Sequence, residues 1–183
     1  MLMMIAIKKR WFKRLARDQR GVSAVEFALL APLMIGLYLG CAEISDGVAA
    51  DRKVSLIAAA VANLTSQVTT ISTSDMTNIL AASSAIIVPY SSTNLKITVQ
   101  CLNIDSNKNV TTKWTATLNG GVGTTTSVPS ALQVASSQLI LSQVSYAYKP
   151  TVGYTITGTL TLTDHMFMAP RISAPTYNST ACS

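Results

Sequence analysis

Residues 20–44 read RGVSAVEFALLAPLMIGLYLGCAEI, and this stretch decides how the rest of the chain is organised. From Phe27 to Ala42 it carries no charge. A bilayer core of about 30 Å is crossed by roughly 20 mostly apolar helical residues, and 22–42 supplies that length. Upstream stand Lys8, Lys9, Arg10, Lys13, Arg14, Arg17 and Arg20 against a single Asp18. Cations piled at one end of an apolar run orient a membrane helix with that end in the cytoplasm. Residues 1–20 are therefore expected inside and everything after about 43 outside. Two other readings compete. A buried core helix rarely has such a basic end. A secretory signal peptide has a shorter apolar region, about 7 to 15 residues, and Glu26 would sit awkwardly at its start.

Glu26 is the informative residue. A carboxylate in hydrocarbon costs on the order of 3 kcal/mol, so it needs a partner or an exit. It can snorkel to the cytoplasmic interface or pair with Arg17 or Arg20. Alternatively, cleavage between Gly21 and Val22 would give Val22 a charged amine, which on a neighbouring subunit could neutralise Glu26. Pro32 removes a helical hydrogen bond and is expected to kink the helix. Gly36 and Gly40 have the small-xxx-small spacing that lets helices approach.

The run Arg20-Gly21-Val22-Ser23-Ala24-Val25-Glu26-Phe27 is similar to a type IV prepilin processing site: basic leader, Gly, four small or apolar residues, Glu, aromatic. The longer stretch resembles the TadE-like family of pilin-like proteins of Tad (Flp-type) pilus assembly and secretion systems. Arg20, Gly21, Ala24, Val25, Glu26, Phe27, Ala28, Leu29, Pro32 and Glu43 match the family pattern, and Ile44 departs from it where an aromatic is common. The resemblance covers about a quarter of the chain. It implies a leader (1–21) removed by a prepilin peptidase, a transmembrane helix (22–42), assembly through Glu26 and Phe27, and other pilin-like subunits as partners. It also implies an inner-membrane location with the C-terminal domain in the periplasm, or outside the cell once in a pilus. The alternative is an uncleaved bitopic protein whose periplasmic domain binds assembly components.

Composition sets the bounds on everything else. The chain has 183 residues, 49% of them hydrophobic and only 12% charged. A soluble domain usually carries about 25% charged residues. The net charge of +6 is the leader's alone, because after residue 20 seven basic and seven acidic side chains cancel. A basic field for nucleic acid is thus not expected.

Beyond the apolar run, Ala50, Val54, Ile57, Val61, Leu64, Val68 and Ile71 recur at alternating steps of four and three. This predicts an amphipathic helix over 43–72, continuous with the membrane helix to about residue 70 and docked on the chain's own sheet rather than in a coiled coil. A head domain is expected over 73–183. Ser74 is a candidate N-cap for a short helix from Asp75 to Ala85, closed by Pro89. Strands are expected at 95–101, 110–118 and 139–148, and a fourth through Val152, Tyr154, Ile156, Gly158, Leu160 and Leu162. Asn119-Gly120-Gly121 reads as a hairpin turn, and Val122 to Val128 is a candidate addition at an edge. The fold class is α+β: a long N-terminal helix packed on a small antiparallel sheet, pilin-like.

Enzyme signatures are missing. No HExxH, GxSxG or Walker loop occurs. His165 is a lone histidine and reads as a strand-end residue. Asp105-Ser106-Asn107-Lys108-Asn109 mimics the start of a calcium loop, but Val110 and Ala116 stand where that loop needs Gly and Glu. No metal, cofactor or catalytic residue is expected. The three sequons, at Asn63, Asn109 and Asn178, matter only in a eukaryotic secretory pathway. Of three cysteines, Cys41 is expected to stay a buried thiol, while Cys101 and Cys182 lie on the oxidising side and are candidates for a disulfide. Otherwise they are two independent small residues.

Overall fold

The computed structural model describes residues 21–123, 127–150 and 158–182. Helix α1 (Val22–Ser66) is unbroken over 45 residues, with Pro32 inside it. At 1.5 Å per residue it is about 67 Å long. Its end falls short of the expected 70. Ser66 Oγ donates back to Asn63 O (2.8 Å), which competes with helical bonding at the last turn. The β-branched run that follows, Val68-Thr69-Thr70-Ile71, favours extended backbone. Thr70–Ile71 accordingly form a two-residue strand, β1.

Helix α2 (Thr73–Ser84) begins two residues earlier than the sequence predicts. Ser72, not Ser74, is the N-cap: its Oγ accepts the Asp75 amide (3.2 Å), and Asp75 Oδ2 accepts the Ser72 amide (3.1 Å). This reciprocal capping box satisfies two helix-end donors. The Ser72 hydroxyl, which also donates to Asp75 Oδ2 (2.6 Å), and the Ser72 amide hold the Asp75 carboxyl below its ordinary range.

Strands β2 (Leu95–Ile104), β3 (Val110–Leu118), β4 (Ser137–Tyr148) and β5 (Leu160–Met168) form an antiparallel sheet in the order β3-β2-β4-β5. The β2–β3 hairpin closes through Asp105, whose carboxylate accepts the amides of Asn107 (2.7 Å) and Asn109 (2.8 Å). The expected hairpin at Asn119-Gly120-Gly121 is not one. The chain leaves β3 there, and the next strand pairs with β2 on its far side. Those three residues have positive φ and turn the chain back over the sheet, where the Val122 amide meets Thr98 Oγ1 at 2.7 Å. Gly121 has φ +69°, and a Cβ there would lie 2.7 Å from Thr98 Oγ1 and Thr117 Cγ2, so the close approach requires glycine. Val122, Gly123, Ser127 and Val128 add no strand to an edge, and 124–126 lie outside the described residues. Of the expected fourth strand, Val152, Tyr154 and Ile156 also lie outside them. Leu160 and Leu162 open β5, which continues through His165 to Met168.

One sheet face bears Leu95, Ile97, Val99, Cys101, Ile140, Val144, Tyr146 and Tyr148, and packs under α1 and α2. The other is closed more modestly by Leu102, Ile104, Leu139, Leu141 and Val128. Helix α1 lies along β4 and β5. Ala50, Val54, Ile57 and Val61 are fully buried, as the periodicity predicts. Leu64 and Val68 stay 39% and 37% exposed. The buried face includes Gly47, Ala58, Ala62 and Thr65 instead, because a straight helix turns every 3.6 residues and drifts about 20° per heptad from a 3.5 repeat.

The C-terminal segment closes the far end. The Arg171 amide donates to Ser66 O (3.0 Å), and Arg171 Nη2 donates to Asn63 Oδ1 (2.7 Å). Trp114 Nε1 donates to Pro175 O (3.1 Å), and β6 (Thr176–Tyr177) pairs parallel with β1. Cys182 is bonded to Cys101, their Cα atoms 5.8 Å apart.

Candidate assembly helix and its collar

The half of α1 outside the head has no intramolecular partner among the described residues. Its most apolar 18-residue window has a mean hydropathy of 1.9, with none of it buried. By length and composition the helix can cross a membrane. Val25, Leu29, Leu30, Leu33 and Leu37 are all exposed, and Phe27 is 73% exposed. A continuous apolar surface of this size requires lipid or other helices around it.

Each singled-out residue on this half has a place. Gly21 precedes the first helical residue at φ −85°, which any residue adopts. A Cβ built there would meet nothing within 4 Å. Neither backbone nor packing therefore explains a glycine at 21. Val22 opens the helix. Glu26 is exposed and makes no hydrogen bond or ion pair with another described residue. Pro32 sits inside the helix, ten residues from its start. Cys41 is exposed, which corrects the expected buried thiol: residues 22–42 stand clear of the head, and the chain itself supplies nothing to cover the sulfur.

Glu43 marks the change of environment. It is only 3% exposed, and from there the helix lies against the sheet. Around this point the head forms a collar. The Tyr90 hydroxyl donates to Asp46 O (3.1 Å), and Lys53 Nζ donates to Ile86 O (3.1 Å) and Val88 O (2.6 Å). The segment after α2 is thereby pinned to the flank of α1. Tyr90 stacks edge-on to Tyr148, ring centroids 5.9 Å apart, and lies 6.4 Å from Tyr146. Burial first, then the nearby Asp46 carboxylate, raises the Tyr90 and Tyr148 phenols, and Glu43 adds to the effect at Tyr148. These rings stay neutral and act as packing surface with a polar tip.

The collar was not foreseen from the sequence. Lys53 and Tyr90 carry no local signal, since their partners are carbonyls 35 and 44 positions away. Glu43 was visible as an acidic residue at the end of the apolar run, but not as a buried one. The remaining candidates are scattered. His165 is exposed on β5, with its amide bonded to Asp164 Oδ1 (2.7 Å). Asp105 spends its carboxylate on its own turn, which also holds it below its ordinary range. Among the described residues no three His, Cys, Asp or Glu side chains come together as a metal site.

Residues 21–63 match the family model described as TadE-like protein. The matched segment is nearly coextensive with α1 and stops before the sheet, so the chain carries a TadE-like helix joined to a head that the match does not reach. Together with the apolar helix, the match fits a protein associated with a Tad pilus. No curated protein and no solved structure matches the chain.

Proposed function

We propose that this protein is a structural subunit, a minor pilin or pseudopilin, of a Tad-type pilus or secretion machine. Residues 1–21 act as a cytoplasmic leader that a prepilin peptidase removes between Gly21 and Val22. Residues 22–42 then hold the protein in the inner membrane, and 43–72 with 73–183 form the periplasmic part. The observation that carries this reading is the division of α1: one half lies on the chain's own sheet, and the other is apolar but for Glu26 and Ser23 and has no partner among the described residues. An enzyme gains nothing from displaying such a helix; a subunit that must be stored in lipid and pass to neighbouring subunits does.

Gly21 and Glu26 support the same reading. The fold does not require the glycine, so the requirement comes from something that reads the chain from outside. Glu26 has no partner among the described residues, and removal of the leader would create a positive amine on each neighbouring copy. The test is Glu26→Gln, which removes the charge and keeps the shape. Membrane insertion and head stability should be unchanged while pilus or secretion output falls. Unchanged output would mean that Glu26 merely reaches the interface, and would favour an uncleaved protein that binds assembly components through its periplasmic domain.

A further inference from the structure

The head begins where the apolar run ends, with no linker between them. Ala42 is the last residue of the run, and Glu43 is already buried against the head within the same unbroken helix. About 20 helical residues fill the 30 Å hydrocarbon core, and the headgroup layer adds roughly 5 to 7 Å on each side. Whatever the head presents at its near end must therefore lie in or against that layer.

The near end is apolar at its rim. Ile44 and Val48 are exposed, about 3 and 9 Å along the axis beyond Ala42. At 100° per residue they fall on the flank of α1 opposite Asp46 and Lys53. On the Asp46–Lys53 flank, Val88 is exposed, but its carbonyl is held by Lys53, about 16 Å beyond Ala42, so it stands above the headgroup layer. The Tyr90 hydroxyl meets the helix at Asp46, about 6 Å beyond Ala42. Leu160, exposed at the start of β5, pairs with Tyr148 of the same collar. Tyr148 reaches Gly47, about 8 Å beyond Ala42, so Leu160 beside it stands at the edge of the layer, and exposed aliphatic side chains next to the half-buried Tyr90 suit the membrane–water boundary. Lys149 and Asp46 contribute one exposed charge of each sign, so no anionic lipid is required.

We infer that the rim formed by Ile44, Val48 and Leu160 beside Tyr90 is seated against the headgroup layer of the membrane that α1 crosses. The head is thus held at one height and one orientation instead of swinging on a stalk. The inference rests on α1 spanning the bilayer, and the test separates the two.

Full-length protein with Cys41→Ser receives one cysteine at a time, Leu160→Cys, Leu33→Cys or Val134→Cys, and each is labelled with an environment-sensitive fluorophore. The bridged Cys101 and Cys182 are left intact. The proteins are reconstituted in phosphatidylcholine vesicles containing lipid with a nitroxide at the headgroup or deep in the acyl chain. Deep-nitroxide lipid should quench the Leu33 label, and headgroup-nitroxide lipid should quench Leu160 at least about twofold more than Val134, on the far loop. Quenching at Leu33 with Leu160 no higher than Val134 would overturn the seating while leaving the span intact. A Leu160 label shielded from aqueous quencher yet untouched by nitroxide lipid would mean that another protein subunit covers the rim, and would overturn it too. Absence of quenching at Leu33 would remove the span and the seating with it.

Discussion

Gly21 and Asp75 show how much one position can carry. Gly21 has room for any side chain and an ordinary φ. Gly21→Leu should therefore leave head stability unchanged and still block removal of the leader, so that immunoblots of membranes show only the full-length precursor. Accumulation of the shortened form in this variant would mean that the glycine is not read at all. Asp75 is legible only in part from the sequence. Thr73, Ser74 and Ser72 are all plausible caps, and the choice is made by which one lies three residues before an acidic side chain. The Asp75 pKa is depressed in the folded state, so its contribution is present above the ordinary carboxylate range and is lost as pH falls through the folded value. Asp75→Asn should lower stability at neutral pH and flatten the acid limb of the stability–pH curve, the variant and the parent converging at low pH. Ser72→Ala should cost about 1 kcal/mol in urea titrations at neutral pH.

At the scale of elements, periodicity located the helices and strands but not their partners. The a/d stripe predicted which way α1 faces the sheet, and Ala50 to Val61 are buried accordingly. It failed at Leu64 because an α-helix turns every 3.6 residues and drifts from a strict 3.5 repeat, and at Val68 because the helix has already ended at Ser66. Asn119-Gly120-Gly121 has the residue types of a hairpin, but residue type sets only the backbone turn. Which strand comes next is decided by β2 pairing on both edges. The collar segment was invisible because Lys53 donates to carbonyls far along the chain. Lys53→Met keeps the aliphatic stem and removes both bonds. It should lower stability of the full-length protein in detergent by roughly 1–3 kcal/mol, the range for hydrogen bonds to a charged group. It should also raise protease sensitivity between Ala85 and Tyr90. No change in either measure would mean that the segment is held by apolar packing alone.

For the molecule as a whole, the α+β class and the long helix were legible because an uncharged run beside a basic cluster and four alternating segments are strong local signals. The closure of the far end was less so. Pairing of Cys101 with Cys182 followed from topology and not from any distance, and Arg171, Trp114 and β6 had no sequence signal. The bridge joins residues 81 positions apart. Chain-entropy arithmetic for a loop of that length gives at most about 4 to 5 kcal/mol. Reduction under mild denaturant should lower the unfolding midpoint and release the tail from β1, seen as faster amide exchange at Thr176 and Asn178, which donate to Thr69 O and Ile71 O. Unchanged exchange there would mean that Arg171 and Trp114 hold the tail without the bridge.

The central claim is that α1 becomes the mature N-terminus of a membrane-held subunit whose leader has been removed. N-terminal sequencing of the protein taken from native membranes addresses it directly. The expected sequence begins at Val22 and reads Val-Ser-Ala-Val-Glu-Phe. A protein that still begins at Met1, Met3 or Met4 would contradict it.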